Sequence, residues 1–248
     1  TVRMSNPIWK SSSDVKIPSG FLEHQDTKTI TDSISILKKE YGDEVAIVGK
    51  TMGPWTLAYH VFGVEPFLLG TVDDPDETMK ALHALKEVTI LYGLAQIDAG
   101  ADILTLPDHA TGDLVSGEYY RRFLLEMHQE LNEALPVPIM LHICGQTVDR
   151  MPYIAQTGMA AFHFDSKNDP VEAMAAVDGG IRLVGNINNP TTLYARGPKE
   201  VRAEVYAALD AGVQLIGPEC AIPLKTKLEN LLEIPIAIED WAAEHREN

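Results

Sequence analysis

The chain has 248 residues, 45% of them hydrophobic and 23% charged, which is ordinary for a globular protein and long enough for one α/β domain with a substantial core. A formal charge of −16 argues against nucleic acid or anionic membrane as the main partner, because both need clustered Lys and Arg. No apolar run approaches the roughly 18–20 residues that cross a bilayer, and the start lacks the charged, apolar, small-residue order of a signal peptide. The expected location is the cytoplasm, where the only two cysteines, Cys144 and Cys220, rarely form a stable disulfide. The chain opens with Thr1 rather than Met, as a processed or truncated product would.

In chain order, the first forty residues are irregular, and "VAIVGK" is the first candidate strand. "QIDAGADILTLPD" then ends a helical pattern at Gly100 and starts a second short apolar run. A helical stretch over residues 118–135 leads to the strand "PIMLHIC". "IAQTGMAAFHFD" and "ALDAGVQLIGPEC" repeat the rhythm of helix end, glycine (Gly158, Gly212) and apolar run, with "IRLVGNI" between them and helical patterns over 170–177 and 198–209. Glycine suits the position past a helix end because it takes positive φ without a Cβ clash. Apolar runs this short and nearly continuous are those of parallel strands buried on both faces.

Six strands alternating with helices imply a parallel sheet with right-handed crossovers. No GxGxxG follows any strand, and the regular αβ units favour a (β/α)8-type barrel over an open doubly wound sheet. Two further strands must then come from the irregular first forty residues or be absent, and in the second case the barrel is incomplete at its N-terminus. No linker or low-complexity stretch divides the chain, and residues 1–248 read as one domain.

A barrel gathers its active site at the C-terminal ends of the strands. Those ends carry Lys50, then Asp108 and His109, His142 and Cys144, Asp165, Asn186 and Asn188, and finally Glu219 and Cys220. His142 and Cys144 lie at i and i+2 of one strand, on the same face and roughly 6.5–7 Å apart along the chain. They can close on a metal ion, act as a nucleophilic dyad, or simply pack. The second cysteine at a strand end in the same layer favours the metal: two sulfurs and an imidazole make a soft set suited to zinc, and three ligands leave one position open. Asp165, ending the next strand, is the candidate fourth ligand, with pairing to Lys167 or helix capping as its alternative. Asp108 and His109 line a pocket or help cap the following helix, for which Asp113 and Ser116 are good N-cap types. Asn186 is placed to hold a ligand, whereas turn chemistry accounts for Asn188, Asn189 and Pro190. His163 reads as a core residue, and His24, His83, His128 and His245 as solvated.

"LHICG" together with "GPECAIPLKTKLENL" resembles the zinc methyltransferases that work with corrinoid proteins, of the methylcobamide:coenzyme M methyltransferase type, within the wider uroporphyrinogen decarboxylase fold family. "GDEVAIVGKTMGPWTLA" and "GNINNPTTL" resemble the same family's second strand and late Gly-Asn strand, and the likeness runs from about residue 15 to residue 239. The resemblance implies a (β/α)8-type barrel with zinc on His142, Cys144 and Cys220. It also implies methyl transfer between cobalamin, carried by a partner corrinoid protein, and a small thiol such as coenzyme M. Lys50, Asp108, His109, Asn186 and Glu219 are the candidate substrate- or cofactor-binding residues. Transfer from a methoxylated donor to the corrinoid protein is the first alternative, and a metal-free decarboxylase of the uroporphyrinogen type is the second. Two departures stand out: family members are usually longer at the N-terminus, and the arginine-rich start of a decarboxylase is not present.

Overall fold

The computed structural model describes residues 7–245, so Thr1 lies outside the described residues. In chain order it contains α1 (Gln25–Tyr41), β1 (Val48–Lys50), α2 (Pro54–Phe62), α3 (Val64–Asp73), α4 (Pro75–Asp98) and β2 (Ile103–Pro107). There follow α5 (Gly117–Phe123), α6 (Leu125–Ala134), β3 (Ile139–Ile143), α7 (Met151–Ile154), β4 (Ala161–Phe164) and α8 (Pro170–Val177). The last elements are β5 (Arg182–Ile187), α9 (Pro198–Asp210), β6 (Leu215–Pro218) and α10 (Leu228–His245). The six strands are those the apolar runs indicate, although the first is shorter than "VAIVGK" suggests. Residues 7–47 contribute a 3-10 turn at Ser12–Asp14 and α1 but no strand, so eight strands are not reached among the described residues. Gly100, Gly158 and Gly212 all take positive φ, at 111°, 77° and 93°, as expected where a helical segment hands over to a strand.

The chain forms two compact units, Thr1–Ala110 with Arg122–Leu141, and Thr111–Arg121 with His142–Asn248. In the first unit, β1 and β2 pair in parallel with Val48 opposite Ile103, and Leu104 N donates to Pro138 O at 3.0 Å beside the start of β3. The outer edge of β1 is closed by a side chain. Buried Gln96 accepts from Lys50 N and donates to Lys50 O, both at 2.9 Å, standing in for a neighbouring strand. Trp55 is fully buried, with its ring edge-on to Phe67 at 4.8 Å and its Nε1 donating to Tyr59 Oη at 2.6 Å.

In the second unit, β4, β5 and β6 pair in parallel, Phe162 opposite Leu183 and Val184 opposite Leu215. Ile187, Leu193, Val201, Val205, Ile234 and Ala237 form a core between the end of β5 and helices α9 and α10. This layering puts the residues that follow β4, β5 and β6 at one end of the sheet.

Three local expectations are corrected. Residues 118–135 form two helices rather than one, because Leu124 leaves helical geometry at φ −124°. His128 is fully buried instead of solvated, with Nε2 donating to the equally buried Asp108 Oδ2 at 3.0 Å. Asp108 does cap a helix, but not the following one: its Oδ1 accepts from Thr56 N at 2.7 Å, closing the first turn of α2. Removing one member of such a buried pair strands the other. Asp108→Ala should therefore cost about 3–5 kcal/mol in urea unfolding, and a loss below about 1 kcal/mol would contradict this role.

Candidate metal centre

The second unit contains a cluster built from two strand ends. His142 is the penultimate residue of β3, Cys144 follows that strand, and Cys220 lies two residues beyond β6. His142 Nε2 is 3.1 Å from Cys144 Sγ, which is 3.1 Å from Cys220 Sγ. One ligand atom from each residue lies within 4.8 Å of the others. His142 is buried and both sulfurs are half-buried and unbridged, so the cluster is walled on one side and reachable from the other.

The histidine is set by its neighbours. Nδ1 of His142 donates to the His163 carbonyl at 3.1 Å, which leaves the Nε2 lone pair aimed at the sulfurs. The rings of His142 and His163 lie 4.5 Å apart, and His163 Nε2 donates to Pro218 O at 2.7 Å. Burial, with the His142 ring close by, pulls the His163 pKa down to about 4, so it stays neutral at ordinary pH. His163 is thus half-buried and built into the site, not a bystander in the core.

The sulfurs form a strongly coupled pair. The two sulfurs share a hydrogen bond in which either can donate, which pulls the Cys220 pKa down and pushes that of Cys144 up; burial and the nearby carboxylates of Asp165 and Glu219 raise Cys144 further. One imidazole nitrogen and two sulfurs suit a soft divalent ion such as zinc. Tetrahedral bonds of about 2.3 Å to sulfur and 2.0 Å to nitrogen place such donors about 3.5–3.8 Å apart, so the two 3.1 Å pairs need to open by only about 0.5 Å.

The other expected site residues are distributed as follows. Asp165 stands outside the three-residue group: Oδ2 accepts from Gly145 N at 2.8 Å and Oδ1 from Lys167 N at 2.9 Å. Lys167 Nζ pairs with Asp113, which leaves Ser116 as the residue whose Oγ accepts from the first turn of α5. Glu219 is buried and accepts from Asn189 N at 2.8 Å and Ser166 N at 3.0 Å. Asn186 is buried at the end of β5, donates to Asn168 O, and lines a cavity of about 400 Å³ with Ser166 and Asn188. Lys50, Asp108 and His109 belong to the first unit, where both Asp108 oxygens are taken and His109 N donates to Thr56 Oγ1. Sequence reasoning passes over Asn168 and Asn189. Asn168 joins Gly145 O, Thr147 N and Val148 N, and Asn189 Nδ2 donates to Ala221 O, yet in "SKNDP" and "NNP" both look like turn formers.

Comparison with known proteins adds to this geometry. The family model described as uroporphyrinogen decarboxylase (URO-D) matches residues 2–241. The chain is 29% identical over 241 residues to the methylcobamide:CoM methyltransferase MtaA of Methanosarcina barkeri, covering 96% of this chain and 71% of that protein. It is 30% identical over 230 residues to the methylated-thiol–coenzyme M methyltransferase of Methanosarcina mazei, covering 92% of this chain and 62% of that protein. A solved methyltransferase from Methanosarcina mazei matches 95% of this chain and 71% of its own, with a TM-score of 0.90 at 28% identity.

The turn after Cys144 depends on Gly145, whose φ is +82° and whose added Cβ would clash with Thr111 Oγ1. Gly145→Ala should therefore lower urea stability by about 2 kcal/mol or more, from left-handed strain plus the clash. A variant as stable as the parent would contradict this turn.

Proposed function

Because the chain belongs to the uroporphyrinogen decarboxylase family, we propose that it works as a zinc-dependent methyltransferase of that family. It moves a methyl group between the cobalamin of a corrinoid protein and a small thiol such as coenzyme M. The observation that carries this reading is the convergence of His142, Cys144 and Cys220 in one cluster. The similar proteins named for methylcobamide and coenzyme M support it.

In this reading His142 Nε2 and the two sulfurs hold zinc. When bound, zinc stabilises a coordinated thiol as its thiolate at neutral pH. The chain's own groups do the rest. The His163 carbonyl fixes the His142 tautomer, and the half-buried sulfurs leave one side open for the substrate thiol. His163 stays neutral, so the imidazole tilted against His142 adds no positive charge to compete with the ion. Asp165 anchors the Gly145 turn with one backbone N–H on each oxygen, and the lone pairs that remain suit it to a resting fourth ligand that the substrate thiol displaces. Burial of His142 keeps bulk water from the inner side of the donors, which favours ordered approach of thiolate and methyl group.

The purified protein should carry about one zinc per chain, and Cys144→Ser or Cys220→Ser should each lose most of it together with demethylation of methylcobalamin by coenzyme M. Zinc retained in full by both variants would overturn the site. Activity with a methoxylated donor but not with methylcobalamin and thiol would reverse the assigned direction.

Thiol binding should also release about one proton at neutral pH, because a free thiol is protonated and a zinc-bound one is not. Calorimetry in two buffers of different ionisation enthalpy reads that proton, and identical heats would count against thiolate formation.

A further inference from the structure

We propose that Glu219 and Asn189 are positioning residues that clamp Cys220, and that with residues 165–168 they form a brace setting the separation of the two cysteines before metal binds. This rests on the zinc reading above.

The need for a brace follows from where Cys220 lies. It is past the end of β6, and the chain beyond it gives little support: Ala221 is exposed, Ile222 is 42% exposed and Leu224 is fully exposed. Cys220 must be held by its immediate neighbours, and both are gripped. On one side, Glu219 N donates to Ile187 O at 2.9 Å, and its carboxylate accepts from Ser166 N and Asn189 N. On the other, Asn189 Nδ2 donates to Ala221 O at 2.9 Å. One asparagine, 4% exposed, therefore straddles the cysteine, with its backbone bound to the residue before and its side chain to the residue after.

The same short segment past β4 reaches the other cysteine. Asp165 accepts from Gly145 N, and Asn168 donates to Gly145 O while accepting from Thr147 N and Val148 N. Ser166, between them in sequence, donates to Glu219. Residues 165–168 thus bind the Cys144 turn with two side chains and the Cys220 segment with one backbone N–H.

Glu219 also has a feature that a purely structural carboxylate would avoid. It is 6% exposed, and its hydrogen bonds come only from neutral backbone N–H groups. Among the described residues no cationic side chain forms an ion pair with it. A buried carboxylate without a cation is costly. A divalent ion in the adjacent cluster supplies the missing positive charge.

The test uses the full chain loaded with cobalt(II) in place of zinc, read by its sulfur-to-cobalt charge-transfer and ligand-field absorption, with affinity from chelator competition. Asn189→Asp keeps the shape but turns a carboxylate oxygen toward the Ala221 carbonyl. Glu219→Gln turns an amide N–H toward a backbone N–H. Each should weaken cobalt binding about 10–100-fold and shift the ligand-field bands, the range typical of lost outer-shell support. Asn230→Ala is the control for mere destabilisation. Asn230 is fully buried and donates to Leu193 O and Arg196 O in the same unit, with no bond to either cysteine segment. It should lower the urea midpoint while leaving affinity and spectrum unchanged.

Cobalt affinity and spectrum unchanged in whichever of Asn189→Asp and Glu219→Gln folds would overturn the brace while leaving the metal site standing. Equal weakening by Asn230→Ala would overturn it as well. A parent chain that takes up neither cobalt nor zinc would overturn the zinc reading itself.

Discussion

Two sulfurs held 3.1 Å apart are an electrostatic liability that the surrounding structure must sustain. At an effective dielectric of about 20, two full negative charges at that distance repel by about 5 kcal/mol. The hydrogen bond between the sulfurs avoids this by keeping a proton between them. The carboxylates of Asp165 and Glu219 make the surroundings more negative still. A cation resolves every part of this conflict at once, replacing the shared proton and balancing the carboxylates. The soft donor set then selects among cations, because magnesium and calcium seek oxygen ligands.

That tension also explains how the backbone around the cluster is arranged. Thiolates attract a cation best when it need not first gather them, since ordering two loops would consume the free energy of binding. The cluster draws on residues 76 positions apart, and the segment after β4 reaches both. Parallel strands make this possible, because every segment that follows a strand emerges at the same end of the sheet. His163 shows the same economy on the imidazole side. Its carbonyl fixes the tautomer of His142, and its own ring is anchored on Pro218 at the end of β6.

Much of this was legible in the sequence, for a physical reason. Parallel strands buried on both faces leave apolar runs with polar ends, so the six strands and the residues at their ends could be read directly. His142 and Cys144 stood out through strand periodicity, and Cys220 because it ended another such run. What sequence could not reveal was the partner of a side chain that reaches across the fold. Asn168 and Asn189 lie in turn-like strings, and an asparagine that closes its own turn has the same local sequence as one that grips a distant loop. Asp108 reads as a pocket residue or as part of a cap on the following helix, but the helix it caps begins more than fifty residues earlier. His128 reads as solvated until that same aspartate is found beside it.

Glu219 shows how a position can be legible while its contacts are not. Polar residues at strand ends gather at active sites, and Glu219 precedes Cys220 at the end of such a run. Its carboxylate, however, points into backbone N–H groups, so its influence on the cluster is exerted through geometry and field. The same holds for Asp165, whose oxygens are engaged by Gly145 and Lys167 N–H groups. A carboxylate near two thiolates has two stable uses: binding the ion directly, or fixing the loop that carries a thiolate. Oxygen competes poorly with sulfur for a soft ion, whereas charge-assisted bonds to backbone N–H are strong.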